Sequence, residues 1–139
     1  MKGKISRRIL CCYNLFLALG AIWCGTMMVT GALGKYPVEW IGKLPFTNWI
    51  FPGIIAIVIY GIGNLLATIF SLSKKDIGVV VSITMGILLL VSMLFSIKIL
   101  EEVYLPTIEF IVVSIIQLVL SLFVLMNSYK CTKNKMKSI

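Results

Sequence analysis

The chain has 139 residues, of which 60% are hydrophobic and only 13% are charged, and its net charge is +8. A soluble domain carries about 25% charged residues, so a mean hydropathy of +1.05 excludes an ordinary soluble domain and indicates an integral membrane protein. The cations flank apolar segments, where an anionic lipid surface attracts each of them by about 1 kcal/mol. We therefore expect the lipid bilayer, and no nucleic acid, as the partner of this charge.

Four segments are long enough to cross a bilayer as helices, which takes about 20 apolar residues. In chain order they are residues 9–33, 50–72, 77–97 and 107–127, joined by short connections. We predict an all-α fold for a polytopic membrane protein, in which residues 1–139 form a single domain, an antiparallel four-helix transmembrane bundle.

The charged residues predict the orientation of the bundle. The two terminal tails and the 73–76 connection hold ten cations and one acid, whereas the other side holds three cations and four acids. Short loops rich in Lys and Arg stay in the cytoplasm. We therefore expect a multi-pass cell membrane protein with cytoplasmic N- and C-termini.

Each span carries small and polar residues at helical spacing, so that they fall on one face. The second span shows this most clearly, because IYGIGNLLAT (59–68) interrupts an apolar run with two glycines and an asparagine. Gly61 and Gly63 lie in mid-helix, where the backbone amides are already bonded, which excludes a phosphate-binding loop. Small residues instead allow neighbouring helices to approach closely. The four predicted inward stripes are Asn14, Ala18, Ala21, Gly25 and Ala32; Gly53, Ala56, Tyr60, Gly61, Gly63, Asn64, Ala67, Thr68 and Ser71; Gly78, Ser82, Gly86, Ser92 and Ser96; and Thr107, Ser114, Gln117, Ser121 and Ser128.

These stripes predict a polar packing layer in the inner half of the bundle. Counted from the cytoplasmic helix ends, Asn14 lies about 8 Å deep, Asn64 about 12 Å and Gln117 about 15 Å. We assign this layer to the following residues: Asn14, Gly61, Gly63, Asn64, Thr68 and Gln117. Amides that hydrogen-bond across helices stabilise a bundle, and the same amides could line a path for a small solute. No ionisable residue lies deep in a span, which disfavours proton coupling.

The longest connection, residues 34–53, is a second candidate region because aromatic residues alternate there with proline and charge. Its rings are those of Tyr36, Trp40, Phe46 and Trp49. Such a segment is typical of an aromatic anchor in the headgroup layer, and it could also form an outer surface for a partner protein.

The chain offers no set of catalytic residues. It has no histidine and no C-x-x-C pair, and Glu101 with Glu102 could attract a cation only weakly. We expect no enzymatic activity, no catalytic residue, no metal site and no cofactor.

At LPFTNWIFPG (44–53) and YGIGNLLAT (60–68) the sequence resembles a loose group of small uncharacterised bacterial four-span membrane proteins. The resemblance implies the bacterial inner membrane and supplies no activity. Two functions remain open. The first is a non-enzymatic membrane protein acting through partners, as an accessory, immunity or envelope-associated subunit. The second is a small transporter or channel for a small solute, assembled as a homo-oligomer.

Overall fold

The computed structural model describes residues 2–73 and 76–139, which form four long helices. They are α1 (Lys2–Val29), α2 (Ile50–Leu72), α3 (Asp76–Leu100) and α4 (Leu105–Lys137). All four are long and apolar enough to cross a membrane, and each packs against its neighbours in the chain, with α1 also contacting α4. The predicted all-α four-helix membrane bundle is confirmed, and the chain is a multi-pass membrane protein.

Three helix ends differ clearly from the predicted spans. The first span is predicted to begin at residue 9, but α1 begins at Lys2. The first span is predicted to reach residue 33, but α1 ends at Val29, because Gly31 adopts a left-handed φ of 77° that ends the helix. The fourth span is predicted to end at residue 127, but α4 continues to Lys137. Lysine is a good helix former, so the helix outlasts the apolar segment.

Helix α2 is not uniform, because Ala56–Gly61 forms a π-helical segment. A π segment holds more residues per turn than an α-helix and shifts the hydrogen-bond ladder. Along α2 the inward stripe is buried before, within and after this segment, at the following residues: Gly53, Gly61, Asn64, Ala67, Thr68 and Ser71. The opposite face of α2 exposes large aliphatic residues, as expected of a surface that contacts lipid.

Helices α1 and α2 approach each other closely at three glycines. A Cβ added to Gly53 would lie 2.8 Å from the carbonyl oxygen of Gly25, and one added to Gly25 would lie 2.7 Å from the carbonyl oxygen of Gly53. A Cβ on Gly61 would lie 2.8 Å from Cγ1 of Ile22. We call Gly25, Gly53 and Gly61 the glycine seam, because only glycine permits this separation of the two helices.

Candidate functional site: a buried polar layer

Five polar side chains from all four helices meet inside the bundle. Each of them is at most 3% exposed: Asn14 on α1, Asn64 on α2, Ser82 on α3, and Gln117 and Ser121 on α4. They are brought together because each lies on the inward stripe of its helix. We call this set the polar layer.

Gln117 is the centre of the polar layer. Its Nε2 donates to Oδ1 of Asn64 at 2.7 Å and to Oδ1 of Asn14 at 3.1 Å. An amide nitrogen has two protons, so these two bonds use both of them and join α4 to α1 and α2. A third contact of Nε2, with Oγ of Ser82, is 3.5 Å long and is correspondingly weak.

Two serine hydroxyls extend the layer to α3. Oγ of Ser82 donates to Oδ1 of Asn14 at 3.0 Å and lies 2.8 Å from Oγ of Ser121. A hydroxyl has one proton, so a chain from Ser121 through Ser82 to Asn14 uses both protons. The backbone carbonyl of Gln117, 2.7 Å from Oγ of Ser121, competes for the first of them.

The orientation of Asn64 is fixed by its own helix. Its Nδ2 donates to the carbonyl oxygen of Tyr60 at 2.8 Å, inside the π-helical segment. This bond directs Oδ1 away from α2 toward Gln117. The Asn64 amide therefore donates to its own helix through Nδ2 and accepts from α4 through Oδ1.

Two buried atoms of the polar layer, Nδ2 of Asn14 and Oε1 of Gln117, have no hydrogen-bond partner among the described residues. One is a donor and the other an acceptor. An unsatisfied buried polar group costs about 1–3 kcal/mol, which a water molecule or a small polar solute would recover by bonding to them.

The other residues assigned to the layer from the sequence lie elsewhere. Gly61 faces Ile22 of α1, and a Cβ on Gly63 would meet the flexible end of Met85 on α3. Thr68 donates to the carbonyl oxygen of Asn64 at 3.0 Å within α2. The two glycines allow neighbouring helices to approach closely, and Thr68 contributes a hydrogen bond within its own helix. The sequence-based assignment left Ser82 and Ser121 out of the layer, although their positions on the inward stripes could have predicted that they belong to it.

Three of the four aromatic residues of the 34–53 connection pack on one another. Tyr36, Trp40 and Trp49 meet edge to face with ring centroids 4.9–5.9 Å apart, and Trp40 also packs on Tyr104 beyond α3 at 4.9 Å. Phe46 lies against Phe51 instead. This aromatic cluster of half-buried rings covers one end of the bundle.

Polar atoms of the aromatic cluster are only partly satisfied. Nε1 of Trp40 donates to the hydroxyl of Tyr104 at 2.9 Å, and that hydroxyl donates to the carboxylate of Glu102. The bond to Glu102 raises the pKa of Tyr104, and burial raises the pKa of Tyr36. The buried hydroxyl of Tyr36 and the buried Nε1 of Trp49 have no hydrogen-bond partner in residues 2–73 and 76–139.

The opposite end of the bundle, which carries both chain termini, is held by ionic and polar contacts. Arg7 of α1 forms an ion pair with Asp76 at 2.8 Å, and Oγ of Ser128 on α4 donates to the same carboxylate at 3.0 Å. Residues 128–137 of α4, the α4 extension, continue beyond this contact. Tyr129 and Met136 on the extension are 77% and 69% exposed.

Among residues 2–73 and 76–139 there is no group of three or more His, Cys, Asp or Glu that could hold a metal ion. The four cysteines are free thiols. A comparison of the chain with protein-family models, curated proteins and solved structures found no match.

Proposed function

We propose that the chain is a non-enzymatic membrane protein that acts through a partner protein, as an accessory, immunity or envelope-associated subunit of the bacterial inner membrane. The observation that carries this proposal is the α4 extension. It leaves the bundle as a continuous helix and presents exposed apolar side chains next to lysines. The +9 charge of the terminal tails and the 73–76 connection supports our proposal that both termini, and with them the extension, lie in the cytoplasm.

The extension has apolar residues that the bundle does not use. Ser128 bonds to Asp76 at the base of the extension, and one residue earlier Asn127 donates to Ser6 at 3.5 Å. One residue and eight residues beyond Ser128, Tyr129 and Met136 remain more than two-thirds exposed. A helix that turns an apolar stripe to water is typical of a segment that a partner covers.

Site-specific photo-crosslinking tests this function. A photoreactive amino acid placed at Tyr129 or Met136, in cells that produce the chain, should form a discrete adduct with another protein. The matched control is Val119, which is 61% exposed in mid-span on the same helix and should react with lipid. The proposal fails if the extension positions give no protein adduct, or an adduct only with a second copy of the chain.

A second function, a small oligomeric transporter or channel, is favoured by one observation, the unpartnered Nδ2 of Asn14 and Oε1 of Gln117. A passing polar solute would bond to these two atoms. Native mass spectrometry and flux into liposomes test it together. An oligomer with a solute flux that Asn64→Leu abolishes without unfolding would establish this function, whereas a strict monomer without flux would eliminate it.

A further inference from the structure

We infer that the α4 extension binds an acidic amphipathic helix of its partner. This inference rests on the proposed function and names the chemistry of the partner. The first observation is the spacing of one stripe on α4, in which residues recur at alternating intervals of three and four, the pattern of helices that pack in pairs. The stripe consists of Leu122, Leu125, Tyr129, Thr132 and Met136.

The stripe lines a groove that no other described helix fills. The groove has a volume of ≈ 530 Å³ and is lined by Leu125, Tyr129, Thr132 and Met136 together with Ser128 and Lys133. Asp76 at the start of α3 closes one end of it. Leu125 also packs on the buried core cluster of the bundle, so the groove is a continuation of the core packing surface beyond the point where α3 begins.

The charges around the stripe select the partner. On a helical wheel Lys133 lies about 70° to one side of the stripe and Lys135 about 90° to the other. The nearest acid, Asp76, is already paired with Arg7. A partner helix with Glu or Asp beside its own apolar stripe would therefore meet cations on both sides. A second copy of the extension would place lysine against lysine, whether the two helices packed parallel or antiparallel.

The distal part of this stripe extends beyond the membrane-spanning part of the bundle. Leu122 and Leu125 lie within the apolar segment of α4, and the contact between Ser128 and Asp76 follows directly after it. The extension continues the axis of a membrane-spanning helix, and Met136 lies eight residues, about 12 Å, beyond Ser128. The part of the stripe from Tyr129 to Met136 therefore points away from the bilayer instead of lying flat on its surface.

Two synthetic peptides test the inference on the full chain reconstituted in phosphatidylcholine nanodiscs. Both have leucine and isoleucine at the apolar positions of two or three heptads, and the flanking positions are glutamate in one peptide and lysine in the other. By fluorescence anisotropy the acidic peptide should bind at least about tenfold more tightly than the basic one. This difference should shrink as salt is added, because exposed charges are screened.

Charge reversal provides the decisive variant. Lys133→Glu combined with Lys135→Glu should reverse the preference toward the basic peptide, a gain of binding that misfolding cannot produce. Lys4→Glu changes an exposed charge on α1 that does not line the groove and should keep the acidic preference. Met136→Ser should weaken binding of the acidic peptide about tenfold, as expected when a central apolar contact is lost.

The inference is overturned if both peptides bind equally or if the double charge reversal leaves the preference unchanged. It is also overturned if the chain binds neither peptide and instead self-associates through the extension or associates with anionic vesicles. If Tyr129 gives crosslinked protein adducts but the peptide assay fails, only the inference of an acidic partner helix is overturned, and the proposed function stands. The absence of adducts would remove the proposed function as well.

Discussion

The glycine seam and the polar layer hold helices of the same bundle together in opposite ways. In the seam, Gly25 and Gly53 bring the backbones of α1 and α2 into contact without a side chain. In the layer, the Gln117 side chain reaches across the bundle to Asn14 and Asn64. Lipid is as apolar as leucine and supplies no hydrophobic force between helices. Helices in a membrane therefore associate through close packing or through polar bonds, and this bundle uses each in a different place.

The two regions also lie at different depths. Gly25 is close to the end of α1 and Gly53 is close to the start of α2, whereas Asn14 and Gln117 lie near the middle of their helices. The seam joins one pair of helices, and the layer joins all four. Loss of the seam should separate α1 from α2, and loss of the layer should loosen the whole bundle.

The largest effect is expected from Gly53→Leu. Its Cβ would lie 2.8 Å from the carbonyl oxygen of Gly25 and 2.9 Å from Cβ of Met28, so the helices must move apart. We expect the free energy of unfolding in detergent to fall by about 3 kcal/mol, the upper part of the range for overpacking. Gly20→Leu, on a residue with nothing within 4 Å of an added Cβ, is the matched control. Equal stability of the two variants would show that the seam is not a tight contact.

Gln117→Leu should have the next largest effect. It removes the bonds to Asn14 and Asn64 and leaves the asparagine oxygens with fewer donors. Interhelical bonds in membranes are worth about 0.6–1.7 kcal/mol each, so a loss of about 1–2 kcal/mol is expected by the same unfolding measurement. Ile116→Leu, on the adjacent and 43% exposed residue, should change little. A Gln117→Leu protein as stable as the parent would mean that the layer does not hold the bundle.

A polar contact at the membrane surface should matter less than one in the layer. Arg7→Ala breaks the ion pair with Asp76, whose side chain is 62% exposed, and exposed pairs contribute about 0.2–1 kcal/mol. We expect a loss in this range at low salt that disappears at high salt. Arg8→Ala removes the same charge from the neighbouring residue and serves as the control. A loss that persists at high salt would contradict a screened surface pair.

The smallest effect should come from the aromatic cluster and depends on pH. The bond to Glu102 raises the pKa of Tyr104 above the ordinary tyrosine value, about 10. The stabilisation from this bond is therefore complete below pH 10 and is lost as the pH rises through the raised pKa. Tyrosinate absorbance, taken as the difference from Tyr104→Phe, should show late ionisation of Tyr104. Glu102→Gln should lower the pKa of Tyr104, so that its ionisation occurs at lower pH. An unchanged titration would argue against the hydrogen bond between Tyr104 and Glu102.

The fold was predictable from the sequence because lipid imposes simple rules on length and pattern. Four apolar segments of sufficient length require four helices, and the small and polar residues of each segment show which face is inside. On α2 the residues assigned to the inward stripe are buried or half-buried, from Gly53 through Asn64 to Ser71. The pairing of Gln117 with both asparagines depends on side-chain reach, which a count of helical rise does not include.

Other features have no strong signal in the sequence. Hydropathy marks where the bilayer ends but not where the helix ends, so α4 exceeds its apolar segment and exposes Tyr129. The π-helical segment around Tyr60 packs against α1, and its residue types do not mark a π turn in advance. The alternating stripe from Leu122 to Met136 was visible in the sequence, but it gains meaning only when α4 is known to continue as a helix.

The position of Gln117 in the chain has a consequence for biogenesis. Asn14, Asn64 and Ser82 are synthesised before α4, and the only hydrogen bond that the structure gives to Oδ1 of Asn64 comes from Gln117, within the part of the chain that is described. During insertion Oδ1 of Asn64 therefore lies in the bilayer without this donor until the last helix arrives. A chain truncated before residue 105 would lack Gln117 and would leave the Asn64 side of the polar layer open. Insertion of the fourth helix is thus the step that completes the polar layer.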